Sequence, residues 1–368
     1  MQDSAMLNRL TGLRTALAAT GADALLVSQP ENRAYLSGFT GSAGWLLISA
    51  AGGAGEMRAP LLATDFRYWE QVRLQSPGYE LVKVTTTLAA ALPEMLAATG
   101  ARRLAFEADH LTYDDYQTLT AAAPDIEWVP TKGLVMELRS RKDAAELAAI
   151  RRAIALGDEA LPAALAQARP GMTERELAWS IESYMRAHSA EAPAFDIIVA
   201  CGLNGARPHA RASDAPLVAG EPIVIDMGAK VDGYCSDLTR TVCFGQPNDP
   251  DKFWTVYNTV LQAQLAAETM LRPGVSGPDG DAAARDVIAA AGFGEYFGHG
   301  LGHGVGLFIH ELPRLSRLST DVMVPGHVVT VEPGIYLPDW GGVRIEDMVL
   351  ITENGVEVLS RASKEPLI

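Results

Sequence analysis

The sequence predicts an α/β protein of two domains, the second with α+β character. Three observations carry this prediction. A chain of 368 residues, 48% of them apolar, exceeds a typical single domain and can fill two cores. Helical and strand patterns alternate up to about residue 129 and break at Thr131-Lys132-Gly133. Beyond the break, the order long helix, Pro-Gly, shorter helix, strands occurs twice, with the Pro-Gly pairs at 170–171 and 273–274. The domains are therefore expected over 1–133 and 134–368.

The elements follow in order. Met6, Leu7, Leu10, Leu13 and Leu17 lie at helical spacing within 5–20, and Gly21 suits a C-terminal cap. Ala24-Leu25-Leu26-Val27 and Trp45-Leu46-Leu47-Ile48 are apolar runs of strand length. Between them Gly38-Phe39-Thr40-Gly41-Ser42-Ala43-Gly44 is too glycine-rich for a regular element, and Thr64-Asp65-Phe66-Arg67-Tyr68 sets polar groups beside aromatics. Asp143-Ala144-Ala145-Glu146 has capping-box spacing and opens a helix expected to reach about Ala168. Thr173-Glu174-Arg175-Glu176 repeats the spacing and opens a second, to about Ala187. Strands are expected over 195–245, helices over about 251–270 and 280–291, and strands again thereafter.

The totals exclude several classes. A formal net charge of -15 argues against nucleic acid as a partner, since that binding needs a basic surface. Cys201, Cys235 and Cys243 are an odd number in a long chain, which suits a reducing compartment. No apolar run reaches the roughly 18 residues of a membrane span, and the N-terminus lacks the pattern of a signal peptide. A soluble cytoplasmic protein is the expectation.

Five potential metal ligands stand between residues 226 and 346. Asp226 ends the run Ile223-Val224-Ile225, and Asp237 follows in Ser236-Asp237-Leu238-Thr239. His303 sits in the stretch Gly298-His299-Gly300-Leu301-Gly302-His303-Gly304. Glu332 ends Val328-Val329-Thr330-Val331, and Glu346 closes Arg344-Ile345-Glu346. Each acid pair is expected from one antiparallel hairpin, with the two halves related by a pseudo-twofold. Four converging carboxylates repel one another unless cations neutralise them. Carboxylates with one imidazole and no thiolate suit two ions of the Mn, Co, Fe or Zn type. Such a pair can activate water and clamp a hydrolytic transition state. Val305 falls where a dinucleotide fingerprint needs its third glycine, and His310-Glu311-Leu312-Pro313 lacks the second histidine of the helical zinc motif.

At these residues the chain resembles the pita-bread metallopeptidases: methionine aminopeptidases, aminopeptidase P and prolidase, with the metal-free creatinase. The resemblance spans essentially the whole chain and is most specific from Pro208 to Glu346. It implies a creatinase-like N-terminal domain and a pita-bread catalytic domain. Asp226 would bind one metal, His303 and Glu332 the other, and Asp237 with Glu346 both; Mn2+ is the expected ion. Glu332 would also handle the water proton, while His310 and His209 would stabilise the intermediate and contact substrate. His299, Tyr336 and Arg344 resemble the pocket that holds proline after the scissile bond. Core packing is the alternative for Tyr336, and an ion pair to a ligand carboxylate the alternative for Arg344. Arg67 resembles an arginine that reaches bound peptide; a salt bridge to Asp65 is its alternative. The resemblance implies an Xaa-Pro aminopeptidase acting on peptides with proline second, as a homodimer. The rival is an Xaa-Pro dipeptidase; a methionine aminopeptidase and a non-catalytic peptide-binding protein come behind.

Overall fold

A computed structural model of the chain describes residues 2–50 and 58–368. They form two compact units, Met1–Arg139 and Ser140–Ile368. In the first, helix α1 (Gln2–Ala18) precedes β1 (Ala24–Val27), α2 (Pro30–Ser37), β2 (Trp45–Ser49), β3 (Leu61–Asp65), α3 (Trp69–Gln75), β4 (Glu80–Val84), α4 (Leu88–Thr99), β5 (Arg103–Glu107), α5 (Tyr113–Ala122) and β6 (Glu127–Thr131). The strands make one mixed sheet in the order β4-β3-β2-β1-β5-β6. Leu26, Leu47, Ala63, Val82 and Leu104 pack on one face of it against Leu92, Met95 and Leu96 of α4. The short helix α6 (Leu134–Ser140) follows.

Both capping boxes that the sequence predicts are present in the second unit. Asp143 accepts from the Ala145 and Glu146 N–H groups, and Glu146 accepts from the Asp143 N–H, opening α7 (Ala144–Leu165). Thr173 and Glu176 do the same for α8 (Glu174–Ala187). The strands β7 (Ala192–Pro193), β8 (Ile198–Cys201), β9 (Ile223–Met227), β10 (Ala229–Val231), β11 (Tyr234–Cys235) and β12 (Leu238–Val242) complete the first half. The second half has α9 (Pro250–Met270), α10 (Gly277–Ala290), β13 (Gly302–Gly304), β14 (Glu311–Leu315), β15 (Val328–Val331), β16 (Gly334–Leu337), β17 (Gly341–Arg344), β18 (Asp347–Thr352) and β19 (Gly355–Val358). Helix α10 begins earlier than expected. Ser276 caps it, and Pro278 falls in the first turn, where its missing N–H costs nothing.

The repeat legible in the sequence is real in the topology. One sheet runs β12-β9-β8, and the other contains β18-β15-β13 in the same relative order, all antiparallel. The expectation of one simple hairpin per acid pair needs correction. Strands β9 and β12 are joined through a second hairpin, β10-β11, and β15 and β18 through β16-β17. The first inserted hairpin turns on Asp232-Gly233, with φ of 50° and 79°, a pair suited to a two-residue turn. Alternation then sorts the faces. Ile223, Ile225 and Met227 pack with Leu177 and Ile181 of α8, and Val329 and Val331 pack with Val260 and Ala263 of α9. Asp226 and Thr330, between them in period two, project from the opposite faces. The three cysteines are buried and free, each in a different apolar cluster.

Candidate metal centre

Strand ends place the acids. Asp226 in β9 lies directly across from Thr239 in β12, and Asp237 immediately precedes β12. Glu332 follows β15, Glu346 precedes β18, and Val331 pairs with Asp347 between those strands. The Glu346 N–H donates to the Thr239 carbonyl (3.1 Å), which joins the two halves at this point. As a result Asp226, Asp237 and Glu346 present ligand oxygens all within 4.8 Å of one another. His303 Nε2 lies 3.3 Å from Glu332 Oε1 and 3.8 Å from Asp237 Oδ2. The five residues picked from the sequence are thus brought together.

Glycines make this approach possible. A Cβ on Gly302 would meet the Thr330 carbonyl oxygen at 2.1 Å, and one on Gly304 the Leu312 carbonyl oxygen at 2.0 Å. His303 between them sits where β14 and β15 close in on both sides. Its Nδ1–H donates to the Gly304 carbonyl (3.1 Å), so its Nε2 lone pair is left for the cluster. Burial lowers its pKa to about 3, so the ring is neutral, the form that ligates metal.

Each remaining contact holds one oxygen of a carboxylate and spares the other. Arg344 Nη2 donates to Asp226 Oδ2 (2.5 Å), and the Thr239 hydroxyl donates to Glu346 Oε2 (2.7 Å). Asp226 Oδ1 and Glu346 Oε1 are buried without any partner. Burial, reinforced by Glu346, Asp226 and Glu332, holds the Asp237 carboxyl well above its usual range. Burial and the neighbouring acids do the same to Glu346. Burial pushes Glu332 up to about 7, against the pull of Arg344. Orphaned, desolvated carboxylate oxygens facing one another fit divalent cations, which would satisfy the lone pairs and remove the repulsion.

Thr239 and Thr330 were missed by sequence reasoning. The Thr330 hydroxyl donates to Glu332 Oε1 (3.2 Å) and accepts the His303 N–H (3.0 Å). Thr239 also accepts from Arg344 Nε (3.1 Å). A threonine two residues before a ligand in a strand shares its face, which is the signal that could have found Thr330.

A second chain of hydrogen bonds leads away from the acids. Buried Arg344 donates through Nη1 to the Tyr336 hydroxyl (2.8 Å) and to the Pro208 carbonyl (3.3 Å). His299 Nδ1–H donates to the Gly300 carbonyl (2.8 Å), so its Nε2 accepts the Tyr336 hydroxyl proton (3.0 Å). Burial lowers the His299 pKa to about 4, and the ring is neutral. Both alternatives for Arg344 and Tyr336 hold in part: Arg344 pairs with Asp226, Tyr336 is buried, and both remain linked to His299. His310 is exposed just ahead of β14, its ring centroid 4.4 Å from that of His303. Partial desolvation and Arg314 lower its pKa. His209 is exposed next to Pro208, close enough for its charge to oppose protonation of both His299 and His310. Arg67 belongs to the first unit, where it donates to both oxygens of Asp65 (2.8 Å each) and lies over the Tyr68 ring.

Comparison with known proteins shows the family. The family description "metallopeptidase family M24" matches residues 148–353, which hold all five candidate ligands. The chain belongs to metallopeptidase family M24. Its first unit matches the creatinase/prolidase N-terminal domain over residues 9–141. This M24 chain is 38% identical to an Xaa-Pro dipeptidase of Pyrococcus horikoshii over 344 residues, 93% of this chain and 94% of that one. Its fold is similar to the Xaa-Pro dipeptidase from Bacillus anthracis, with TM-score 0.94 and 41% identity over 99% of this chain and 100% of that one. It is also similar to the X-Pro aminopeptidase from Thermotoga maritima, with TM-score 0.86 and 36% identity over 96% of this chain and 100% of that one. No helix among the described residues of this M24 chain is long and apolar enough to cross a membrane.

Proposed function

We propose that this chain is an Xaa-Pro dipeptidase that hydrolyses the bond ahead of proline with the help of two divalent ions, Mn2+ being the first to test. The observation that carries the hydrolase is the convergence of Asp226, Asp237, His303, Glu332 and Glu346 with bare carboxylate oxygens between them. The dipeptide is favoured by two full-length relatives whose names say Xaa-Pro dipeptidase. This reverses the order expected from the sequence, in which the Xaa-Pro aminopeptidase came first. The aminopeptidase is the second reading, and the Thermotoga maritima protein favours it.

Asp226 would hold one ion and His303 with Glu332 the other, Asp237 and Glu346 being shared. When bound, the ions would lower the pKa of water and polarise the scissile carbonyl. Glu332, which the Thr330 hydroxyl holds by one oxygen, would also accept the proton of the attacking water. His310 and His209 would donate an imidazole N–H to the carbonyl oxygen as it gains charge. Both nitrogens of His299 are engaged, one with Gly300 and one with Tyr336. The ring therefore offers substrate its carbon surface, which suits a proline ring on a tertiary amide without N–H.

The test restores Mn2+ to chelated protein and compares an Xaa-Pro dipeptide with an Xaa-Pro-Yaa-Zaa peptide at equal concentration. Cleavage confined to the dipeptide is the expected result. Release of Xaa from the longer peptide would make the chain an aminopeptidase. No cleavage of either with two ions bound would refute both readings.

A further inference from the structure

Two buried carboxylates outside the metal cluster organise the segments around it. Glu174, the first residue of α8, is 0% exposed. Its Oε1 accepts from the Cys201 N–H (2.8 Å) and from Asn204 Nδ2 (2.9 Å). Its Oε2 accepts from Asn204 Nδ2 (2.8 Å), the Ser213 N–H (2.9 Å) and the Ser213 hydroxyl (2.6 Å). Cys201 and Ser213 bracket the segment that carries His209. Asn204, inside it, also donates to the Arg211 carbonyl (3.3 Å). The Pro208 carbonyl next to His209 is the one that Arg344 holds, so this segment meets the Asp226 end of the centre.

The second half reaches the same result by another route. Asp281 of α10 is also 0% exposed. It accepts from the Leu301 N–H (3.0 Å) and, through both oxygens, from Arg285 (2.6 and 2.9 Å). Arg285 in turn donates to the Phe297 carbonyl (2.8 Å) and the His299 carbonyl (2.7 Å). The segment carrying His299 is thereby held from both ends.

We propose that Glu174 and Asp281 are positioning residues of the peptidase site, each fixing from the second helix of its half the segment that carries one histidine, His209 for Glu174 and His299 for Asp281. The physical case is one of donor count. Glu174 has both oxygens taken by donors of one segment, and Asp281 grips its segment directly through Leu301 and indirectly through Arg285; a buried carboxylate so occupied is a rigid joint. An amide in its place offers one acceptor oxygen and turns an N–H toward donors. The kinetic consequence rests on the dipeptidase reading; the structural consequence rests on the hydrogen bonds alone.

The experiment uses the metal-loaded full chain as wild type, Glu174→Gln, Asp281→Asn and Ser213→Ala. It measures metal content, amide hydrogen exchange, and kcat/KM on an Xaa-Pro dipeptide, the last also in a His209→Ala background. Glu174→Gln should accelerate exchange over 201–213 and leave 297–301 unchanged, and Asp281→Asn should do the reverse, with both ions retained. A histidine displaced by about 1 Å should lose on the order of 10²-fold in kcat/KM. If Glu174 acts through His209, Glu174→Gln should cost nothing further in the His209→Ala background. The same loss in both backgrounds, or unchanged exchange over 201–213, overturns the proposal. Should Glu174→Gln not fold, Ser213→Ala removes one donor and should give the same pattern at smaller amplitude; unchanged exchange there overturns it equally. A wild type that retains two ions and splits no Xaa-Pro peptide sinks the dipeptidase reading, while the exchange measurement still decides the positioning.

Discussion

At the scale of single residues, the cluster has a repeated motif: one carboxylate oxygen held by a protein donor, the other left bare. Asp226 is held by Arg344, Glu346 by Thr239. We predict that Asp237→Ala or Glu346→Ala lowers the bound metal from two ions to one or none, read by elemental analysis after dialysis. Two ions retained in either variant would refute its assignment to both metals. His310 is different, because it lies beside His303 without belonging to the acid cluster. His310→Ala should keep both ions and lose roughly 10²–10³-fold in kcat, as for one transition-state hydrogen bond; metal loss would recast it as a ligand. Among the candidate ligands, Asp226 and Glu332 stand out in the sequence because each ends an apolar run, whereas Asp237, His303 and Glu346 were picked out by their place in the resemblance. Thr239 and Thr330 were not, since threonine is an ordinary strand residue and only the register reveals which carboxylate it touches. Arg344 shows the same limit. Its ion pair to a ligand carboxylate was among the expectations, but not that the same guanidinium also reaches Tyr336, Thr239 and Pro208.

At the scale of elements, local chemistry was the readable part. Capping boxes at Asp143 and Thr173 set helix starts through contacts within four residues, which spacing encodes directly. The inserted hairpin at Asp232-Gly233 carried its own turn signal, overlooked because the flanking strands are only two and three residues long. Contacts between distant elements were not readable, and His327 is an example. It follows the Pro325-Gly326 turn and is buried, accepting the Val324 N–H at Nδ1 (3.3 Å) and reaching Ser140 Oγ through Nε2 (3.4 Å). Burial, with Lys142 and Arg141 adding to it, lowers its pKa to about 4. The unfolded chain therefore binds a proton that the folded chain refuses between about pH 4 and 6.5. This stability is complete above pH 6.5 and is lost as pH falls toward 4. We predict that His327→Gln makes urea-unfolding stability less steep in that window by up to about 1.4 kcal/mol per pH unit, one proton's worth. Parallel curves for variant and wild type would refute it.

At the scale of the whole molecule, the second unit is two copies of one plan whose inner strand ends meet. The repeat was faint in sequence because the copies share strand order and acid placement but few residue identities. The matching strand orders β8-β9-β12 and β13-β15-β18 bear out the repeat that the helix and Pro-Gly pattern indicated. Since each half brings two acids, ions that bind the finished centre but not the unfolded chain must stabilise it. We predict that Mn2+ at a hundred times its Kd raises unfolding free energy of the second unit by about 2.7 kcal/mol per site. A Glu346→Ala chain should lose most of that increment, and an equal increment in both would place the ions elsewhere.

The division of the acids between two halves also sets a schedule. Asp226 and Asp237 leave the ribosome well before Glu332 and Glu346 exist. At roughly 5–20 residues per second, the stretch of about 120 residues from the first acid to the last takes about 6–24 s to make. During that interval the nascent chain holds half a chelating set and no histidine partner for it until residue 303. A centre that needs acids from both halves can therefore be completed only after residue 346 has been made.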